Sequence, residues 1–393
     1  MIRSVENLAF ENRRIFLRVD FNVPLIGGRI LETHRIDAAL PTLRLLLPKA
    51  GRIILVSHLG RPGGKRELKY SLEPARAYLE RTLARPVTLA PDCVGPEVER
   101  LLSNPRQTQV VLLENLRFHK EEEANDPKFS KDLASLGDIY VNDAFGAAHR
   151  AHASTAGMTK FFREKGVGLL FKKELDYLGG ILSSREKPLV AIIGGAKVSD
   201  KIGVLKNLLP KVDSLLVGGG MAYTFLKARG RSIGKSLLLE ADMTLARELI
   251  EQAAGSKTRL LLPLDHVTAL GTEDEREATV LEGDIPENRM GLDIGPKTIA
   301  EFSQEVNRAR MVLWNGPMGL FEKDRYSRGT KAIAEALARC GAISIVAGGD
   351  TVAAVRQAGV GDNITHLSTG GGATLEFLEG RKLPGVQALE ETP

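Results

Sequence analysis

Four arginines and a histidine stand where short apolar runs of this chain give out. His58 and Arg61 follow the run Arg52–Ser57, in Ser57-His58-Leu-Gly-Arg61-Pro. Arg117 follows Gln109–Leu113, in Glu114-Asn-Leu-Arg117-Phe. Arg150 follows Ile139–Val141, by way of Asn142-Asp143 and then His149-Arg150-Ala-His152. Arg35 opens the patterned segment Ile36–Leu47, and Asp20-Phe-Asn22 closes the run Ile15–Val19. A guanidinium is planar and donates in pairs, which suits phosphate or carboxylate. Any one of these arginines could equally serve a surface ion pair. Four of them at the ends of separate runs in one half of the chain point instead to a small polyanion, which His58 could also hydrogen-bond. His149 and His152 lie three apart but lack a third ligand for a metal. Glu121-Glu-Glu123 reads as a solvated turn.

The second half ends its apolar runs on glycine. Gly194-Gly-Ala-Lys197, Gly218-Gly-Gly220, Asn315-Gly-Pro and Gly348-Gly-Asp350-Thr351 each follow such a run, and Gly370-Gly-Gly372 adds another cluster. Glycine at a strand-to-helix turn lets backbone N–H groups approach a phosphate. The standard fingerprints fail, however. A GxGxxG reading needs glycine where Tyr223 and Leu375 stand, and Gly230-Arg-Ser-Ile-Gly234-Lys235-Ser236 has one residue too few between its glycines for a P-loop. The pattern favours a nucleotide site of another kind. Asp350 could hold Mg²⁺ on the nucleotide or simply cap a helix. Lys197 and Lys201, four apart, are expected on one face of a helix start, where two cations oppose the dipole unless an anion binds.

These residues need a scaffold. The runs named above, with Leu189–Ile193, Ser214–Val217, Arg259–Leu262, Met311–Trp314 and Ile343–Ala347, read as strands. Helical spacing lies between runs, as at Ile36–Leu47, Ala75–Leu83, Ala241–Ala254, Lys297–Arg308 and Thr330–Arg339. Alternation of strand and helix predicts an α/β fold of two doubly wound parallel sheets, in which ligands sit beyond the carboxyl ends of the strands. Gly168–Leu182 is helical in spacing and is expected to connect the two series.

Composition narrows the function. Hydrophobic residues make up 43% and charged residues 26%, which excludes wholesale disorder. The net charge of +5 is uneven: residues 1–185 carry 29 basic and 22 acidic side chains, the remainder 25 and 27. A basic first half fits an acidic partner. Aromatic residues are only 5%, and basic residues are interleaved with acids, so a nucleic acid is not expected. The start, MIRSVENLAFENRR, lacks the apolar run of a secretory leader. An uncharged stretch such as Ser214–Leu226, 13 residues with three glycines, is too short for a membrane helix, which needs about 20 residues. Cys93 and Cys340 stand far apart without a CxxC or Cys/His cluster, so no zinc site built on cysteine is expected and free thiols in the cytoplasm are. A nicotinamide-dependent dehydrogenase, a nucleic-acid-binding module and a catalytically dead homologue are the rival readings.

Taken in order, Arg18-Val-Asp20-Phe-Asn22-Val-Pro, the His58, Arg117 and Arg150 motifs, Asn142-Asp-Ala-Phe-Gly, Gly194-Gly-Ala-Lys197-Val-Ser-Asp-Lys201, Met290-Gly291-Leu-Asp-Ile-Gly-Pro, Trp314-Asn315-Gly-Pro, Gly348-Gly349-Asp350-Thr351 and Ser368-Thr-Gly370-Gly-Gly372-Ala resemble the phosphoglycerate kinase family. Ala147 departs from the threonine many members carry there. The resemblance implies reversible phosphoryl transfer between ATP and 3-phosphoglycerate, running in glycolysis from ADP and 1,3-bisphosphoglycerate. It implies that Asp20, Asn22, Arg35, His58, Arg61, Arg117 and Arg150 bind phosphoglycerate. Gly195, Lys197, Lys201, Gly219, Gly291, Asn315, Pro317, Glu322, Gly348, Gly349, Asp350 and Thr351 would surround the nucleotide, with Glu322 at the ribose and Asp350 at Mg²⁺. Arg35, Lys197, Gly371 and Gly372 would act on the moving phosphoryl group. It further implies two Rossmann-like domains with a hinge: residues 1–170 completed by 378–393, a linking helix at 171–185, and a nucleotide domain at 186–377, in a cytoplasmic monomer. The chemistry agrees with the residues. The attacking group is a carboxylate, ionised at neutral pH because its reference pKa is about 4, so positioning and charge neutralisation remain for the protein.

Overall fold

A computed structural model describes residues 2–104, 108–183, 186–274 and 278–390. The chain divides into two compact units, Met1–Leu175 with Lys382–Pro393, and Asp176–Arg381. The division falls inside the helix Leu169–Leu182, the segment expected to connect the two series.

The first unit holds strands β1 (Arg14–Arg18), β2 (Leu25–Ile26), β3 (Arg29–Ile30), β4 (Arg52–Val56), β5 (Val87–Leu89), β6 (Val110–Leu112), β7 (Ile139–Asn142) and β8 (Lys165–Val167). Six of them form one sheet in the order β5-β6-β4-β1-β7-β8, and every pairing is parallel. Helices cover both faces of such a sheet, so its strands are apolar throughout; Ile15, Leu17, Ile53, Leu55, Val110, Leu112, Ile139 and Val141 are all buried in one core. The helix His34–Leu46 packs Ile36, Leu40 and Leu43 against it. β2 and β3 make a separate small hairpin. At the end of β7, Asp143 Oδ1 accepts from Phe171 N at 3.0 Å, and Thr42 Oγ1 accepts from Leu169 N at 2.9 Å. Two side chains thereby satisfy amides at the start of the helix Leu169–Leu182, which would otherwise lack acceptors. Burial raises the Asp143 carboxyl to about 6.

The second unit holds β9 (Leu189–Ile193), β10 (Ser214–Val217), β11 (Arg259–Leu261), β12 (Asp265–Ala269), β13 (Thr279–Glu282), β14 (Met290–Ile294), β15 (Met311–Asn315), β16 (Ile343–Ala347) and β17 (His366–Leu367). Its main sheet is again parallel, in the order β11-β10-β9-β15-β16-β17. Numbered along the chain, that is the strand order of a doubly wound nucleotide-binding fold. Val190, Ile192, Leu216, Val312, Trp314 and Val346 are buried against Phe302 and Val306 of the helix Pro296–Arg308 and Ile333 and Leu337 of the helix Arg328–Arg339.

The expected α/β class and both parallel sheets are present. Absent from the expectation were the edge strands β5, β8 and β17 and the antiparallel sheet β13-β12-β14. β13 is mostly exposed, with no apolar run to mark it.

Candidate functional site

In the second unit, β9 and β15 are neighbours whose onward connections run to opposite sides of the sheet. A crevice opens beyond their carboxyl ends for that reason. A cavity of ≈ 370 Å³ lies here, lined by Gly195, Gly219, Gly291, Pro317, Glu322 and Asp350 among others. Tyr223, Leu237, Met290, Leu292, Met318 and Leu320 supply an apolar lining suited to a flat base. Backbone stands unusually close to backbone in this place. A Cβ on Gly219, whose φ is +65°, would lie 2.6 Å from Gly195 N and 2.9 Å from the Pro317 carbonyl.

A hydrogen-bonded frame adjoins the cavity. Asn315 Nδ2 donates to the Ala347 carbonyl at 2.9 Å, Lys201 Nζ donates to Asn315 Oδ1, and Gly316 N donates to Thr351 Oγ1 at 2.7 Å. Burial lowers the Lys201 pKa, while Asp200 and Asp350 oppose that shift by stabilising its charge. The helix Gly349–Gln357 begins after Gly348, whose φ is +90°; Asp350 lies in its first turn, exposed and making no cap. The capping alternative for Asp350 is thus removed. An exposed carboxylate at the mouth of a glycine-lined cleft fits Mg²⁺, which takes few protein oxygens and keeps its waters and phosphates.

Lys197 and Lys201 do not share a helix face. Helical backbone begins only at Ser199, so Lys197 stands exposed in the preceding loop while Lys201 is largely covered. Gly371 and Gly372 start the helix Gly372–Leu378 beyond β17 and lie outside the lining of the cavity.

In the first unit the corresponding switch lies between β1 and β7. Asp20, just past β1, is buried; its carboxylate accepts from Arg35 Nη1 at 2.6 Å and Asn22 N at 3.1 Å. Asn22 Oδ1 accepts from Gly60 N at 2.9 Å and so ties the β1 exit to the β4 exit. Arg117 is buried, donates from Nη1 to the Gly60 carbonyl at 2.7 Å, and lies 3.1 Å from Glu123. Arg150 Nε faces the imidazole of His149 at 3.2 Å rather than a carboxylate. His58 is buried, and desolvation together with Arg18, Arg117, Arg150 and Arg35 holds its pKa well below the ordinary value. His152 is lowered to about 4 by burial and the same arginines without Arg35. Four guanidiniums and two imidazoles kept neutral make a pocket of charge that a polyanion would complete. Arg61 stands exposed after β4.

Two participants were not singled out from sequence. Arg18 lies inside a strand yet is 1% exposed; it donates from Nε to Ser154 Oγ at 2.9 Å and from Nη1 to the Val19 carbonyl, and its Nη2 lies 3.2 Å from His58 Nδ1. A basic residue inside an apolar run is the signal that could have found it. Glu122 was expected in a solvated turn. It is fully buried and accepts from Ser154 Oγ at 2.6 Å and Ser154 N at 3.0 Å, and burial raises its pKa. The turn reading fails because the partners come from distant segments.

The neutral imidazoles yield a prediction. A bound polyanion opposes the guanidinium part of these shifts, while burial persists, and so raises the pKa of both His58 and His152. Binding of an anion that does not itself titrate there, such as inorganic sulfate, at about pH 5.5, between the free and ordinary His152 values, should therefore take up protons. Calorimetric binding enthalpies should differ between buffers of unlike ionisation enthalpy at that pH and agree at pH 8. Equal enthalpies at the lower pH would contradict the arrangement.

A nucleotide-sized cleft lined with glycine on one α/β unit and an arginine cluster on another are the equipment of a phosphotransferase that uses no P-loop. Comparison with known proteins agrees. The family model for phosphoglycerate kinase matches residues 5–381. The chain is 53% identical to the phosphoglycerate kinase of Anaeromyxobacter dehalogenans strain 2CP-1, over 99% of this chain and all of that protein. It is 54% identical to that of Koribacter versatilis, over 98% of each. Among solved structures, phosphoglycerate kinase from Coxiella burnetii superposes with a TM-score of 0.90 at 41% identity, covering 99% of both chains. The enzyme from Pyrococcus horikoshii OT3 gives 0.85 at 30% identity, covering 99% of this chain and 98% of that one. The chain belongs to the phosphoglycerate kinase family. The dehydrogenase and nucleic-acid-binding readings fall with that result.

Proposed function

We propose that this chain transfers a phosphoryl group reversibly between ATP and the carboxylate of 3-phosphoglycerate, the glycolytic direction making ATP from ADP and 1,3-bisphosphoglycerate. The observation that carries the reading is the partition of the site residues: guanidiniums at the strand ends of one sheet, glycines at those of the other. Asp20, Asn22, Arg35, His58, Arg61, Arg117 and Arg150 bind the phosphoglycerate, with Asp20 aiming Arg35. Gly195, Gly219, Gly291, Pro317 and Glu322 receive the nucleoside. Lys201, Asn315 and Gly348 to Thr351 hold the phosphate end.

Lys197 and Arg35 neutralise charge on the phosphoryl group in flight, assisted by the amides of Gly371 and Gly372. Asp350 holds Mg²⁺, which supplies charge neutralisation on the nucleotide phosphates. Reacting atoms must come to about 3–3.5 Å, so we assign to the doubly liganded enzyme a hinge closure that brings the two substrates together and excludes water. The enzyme is assigned to the cytoplasm as a monomer; both cysteines are free, and no described helix is long and apolar enough to cross a membrane.

Arg117→Ala tests the substrate assignment. Its KM for 3-phosphoglycerate should rise at least about tenfold, the loss of one charge-assisted hydrogen bond, while the KM for ATP holds. An unchanged KM for 3-phosphoglycerate removes Arg117 from the site.

A further inference from the structure

One cluster of side chains in the first unit takes no part in the proposed reaction. Asp92 and Cys93 lie between β5 and β6, and His119 follows the turn Leu116–Phe118. Distant in sequence, they meet in the fold, and one ligand atom from each of the three lies within 4.8 Å of the others, the sole such grouping among the described residues. The expectation that no Cys/His cluster exists holds for the linear sequence and fails in space.

The local geometry is specific. His119 Nε2 lies 2.6 Å from Asp92 Oδ1, and the same oxygen accepts from Cys93 N at 2.7 Å. The His119 ring stacks on Phe129 at a centroid distance of 5.0 Å, which fixes the direction of its nitrogen. Cys93 Sγ is buried and lies 2.9 Å from the Glu114 carbonyl oxygen. Asp92 and His119 are only half-buried, so the cluster has a path to solvent.

We propose that Asp92, Cys93 and His119 bind a zinc-class divalent cation, with the Glu114 carbonyl or a water in the fourth position. Sulfur, imidazole nitrogen and one carboxylate oxygen are a zinc donor set, at about 2.3, 2.0 and 2.1 Å from the ion. Ligand atoms around such an ion stand about 3.3–3.8 Å apart, so the sulfur closes in slightly and the close His119–Asp92 contact opens. Binding displaces the Cys93 thiol proton to solvent, and the proton between His119 Nε2 and Asp92 leaves that nitrogen, to solvent from an imidazolium or to Nδ1 in a neutral ring. A thiolate donor sets this site apart from the Mg²⁺ position at Asp350, because hard cations avoid sulfur. The Arg66 guanidinium, which donates to the Pro91 carbonyl at 2.7 Å, adds positive charge at the rim and tempers the affinity.

The test is cobalt substitution of the full chain without nucleotide, with excess Mg²⁺ filling the oxygen sites. Titration with Co²⁺ should raise a near-ultraviolet thiolate-to-cobalt charge-transfer band that saturates at one ion per chain. Cys340→Ser should keep the band and Cys93→Ser should abolish it. His119→Gln, which retains the thiol, should weaken Co²⁺ at least about tenfold, and Zn²⁺ equilibrium dialysis should follow the same order. Absence of the band in the wild-type chain, its survival in Cys93→Ser, or equal affinity in His119→Gln would overturn the site. Correct folding of each variant is checked by its unchanged turnover of ATP with 3-phosphoglycerate.

Discussion

Lys197→Ala is expected to lower kcat by about 100-fold or more, the cost of losing one electrostatic donor to a transition state, while leaving stability unchanged. Lys197 is exposed in the loop after β9, so its removal opens no core and strands no buried partner. Its neighbour in the motif behaves differently. Lys201 is largely covered and donates to Asn315, which in turn holds the Ala347 carbonyl, so Lys201 belongs to the hydrogen-bonded frame beside the cleft, which we propose holds the nucleotide phosphates. The two lysines should therefore separate kinetically. Lys197→Ala should depress kcat with the KM for ATP nearly intact, whereas Lys201→Ala should raise the KM for ATP as well. The measurement is steady-state kinetics with each substrate varied in turn. A near-normal kcat for Lys197→Ala would end its assignment to the transition state.

Arg18→Met is expected to destabilise the first unit by about 3–5 kcal/mol, the range for removing one partner of a buried charge pair. The guanidinium is 1% exposed and serves Ser154, the Val19 carbonyl and His58 at once. Its charge also supports the fully buried Glu122. Lysine offers a point charge in place of the fork and cannot reach all three acceptors, so Arg18→Lys should recover little. Adding Glu122→Gln to Arg18→Met should restore part of the loss, because the stranded charge disappears with it. Denaturant unfolding measures both effects. A loss under about 1 kcal/mol for Arg18→Met would mean that the buried pair is not what holds this part of the unit together.

The parallel sheets were legible because each strand is buried on both faces and reads as a continuous apolar run, as in Arg52–Val56 and Met311–Asn315. The candidate site was read for a related reason: in such sheets the residues just past each strand end are the ones a ligand can reach. What escaped lacked a local signal. β13 alternates neither in polarity nor in burial, and β5 and β8 are strands of only three residues at the two ends of their sheet. Glu122 sits in a run of acids that looks solvated, and its burial depends on Arg18 and Ser154 from elsewhere in the chain. Lys197 and Lys201 were placed on one helix face by spacing alone, and the helix starts too late for that. Asp92, Cys93 and His119 likewise meet only through the sheet.

We propose that one sheet presents phosphoglycerate and the other ATP for direct transfer between them. The most direct measurement of that transfer is a coupled assay of ATP turnover by the full chain, with 3-phosphoglycerate and Mg²⁺ each supplied or withheld. Rapid turnover is expected only when ATP, 3-phosphoglycerate and Mg²⁺ are all present, with 1,3-bisphosphoglycerate as the product. Turnover of ATP that is indifferent to 3-phosphoglycerate, or none in the complete mixture, would contradict it.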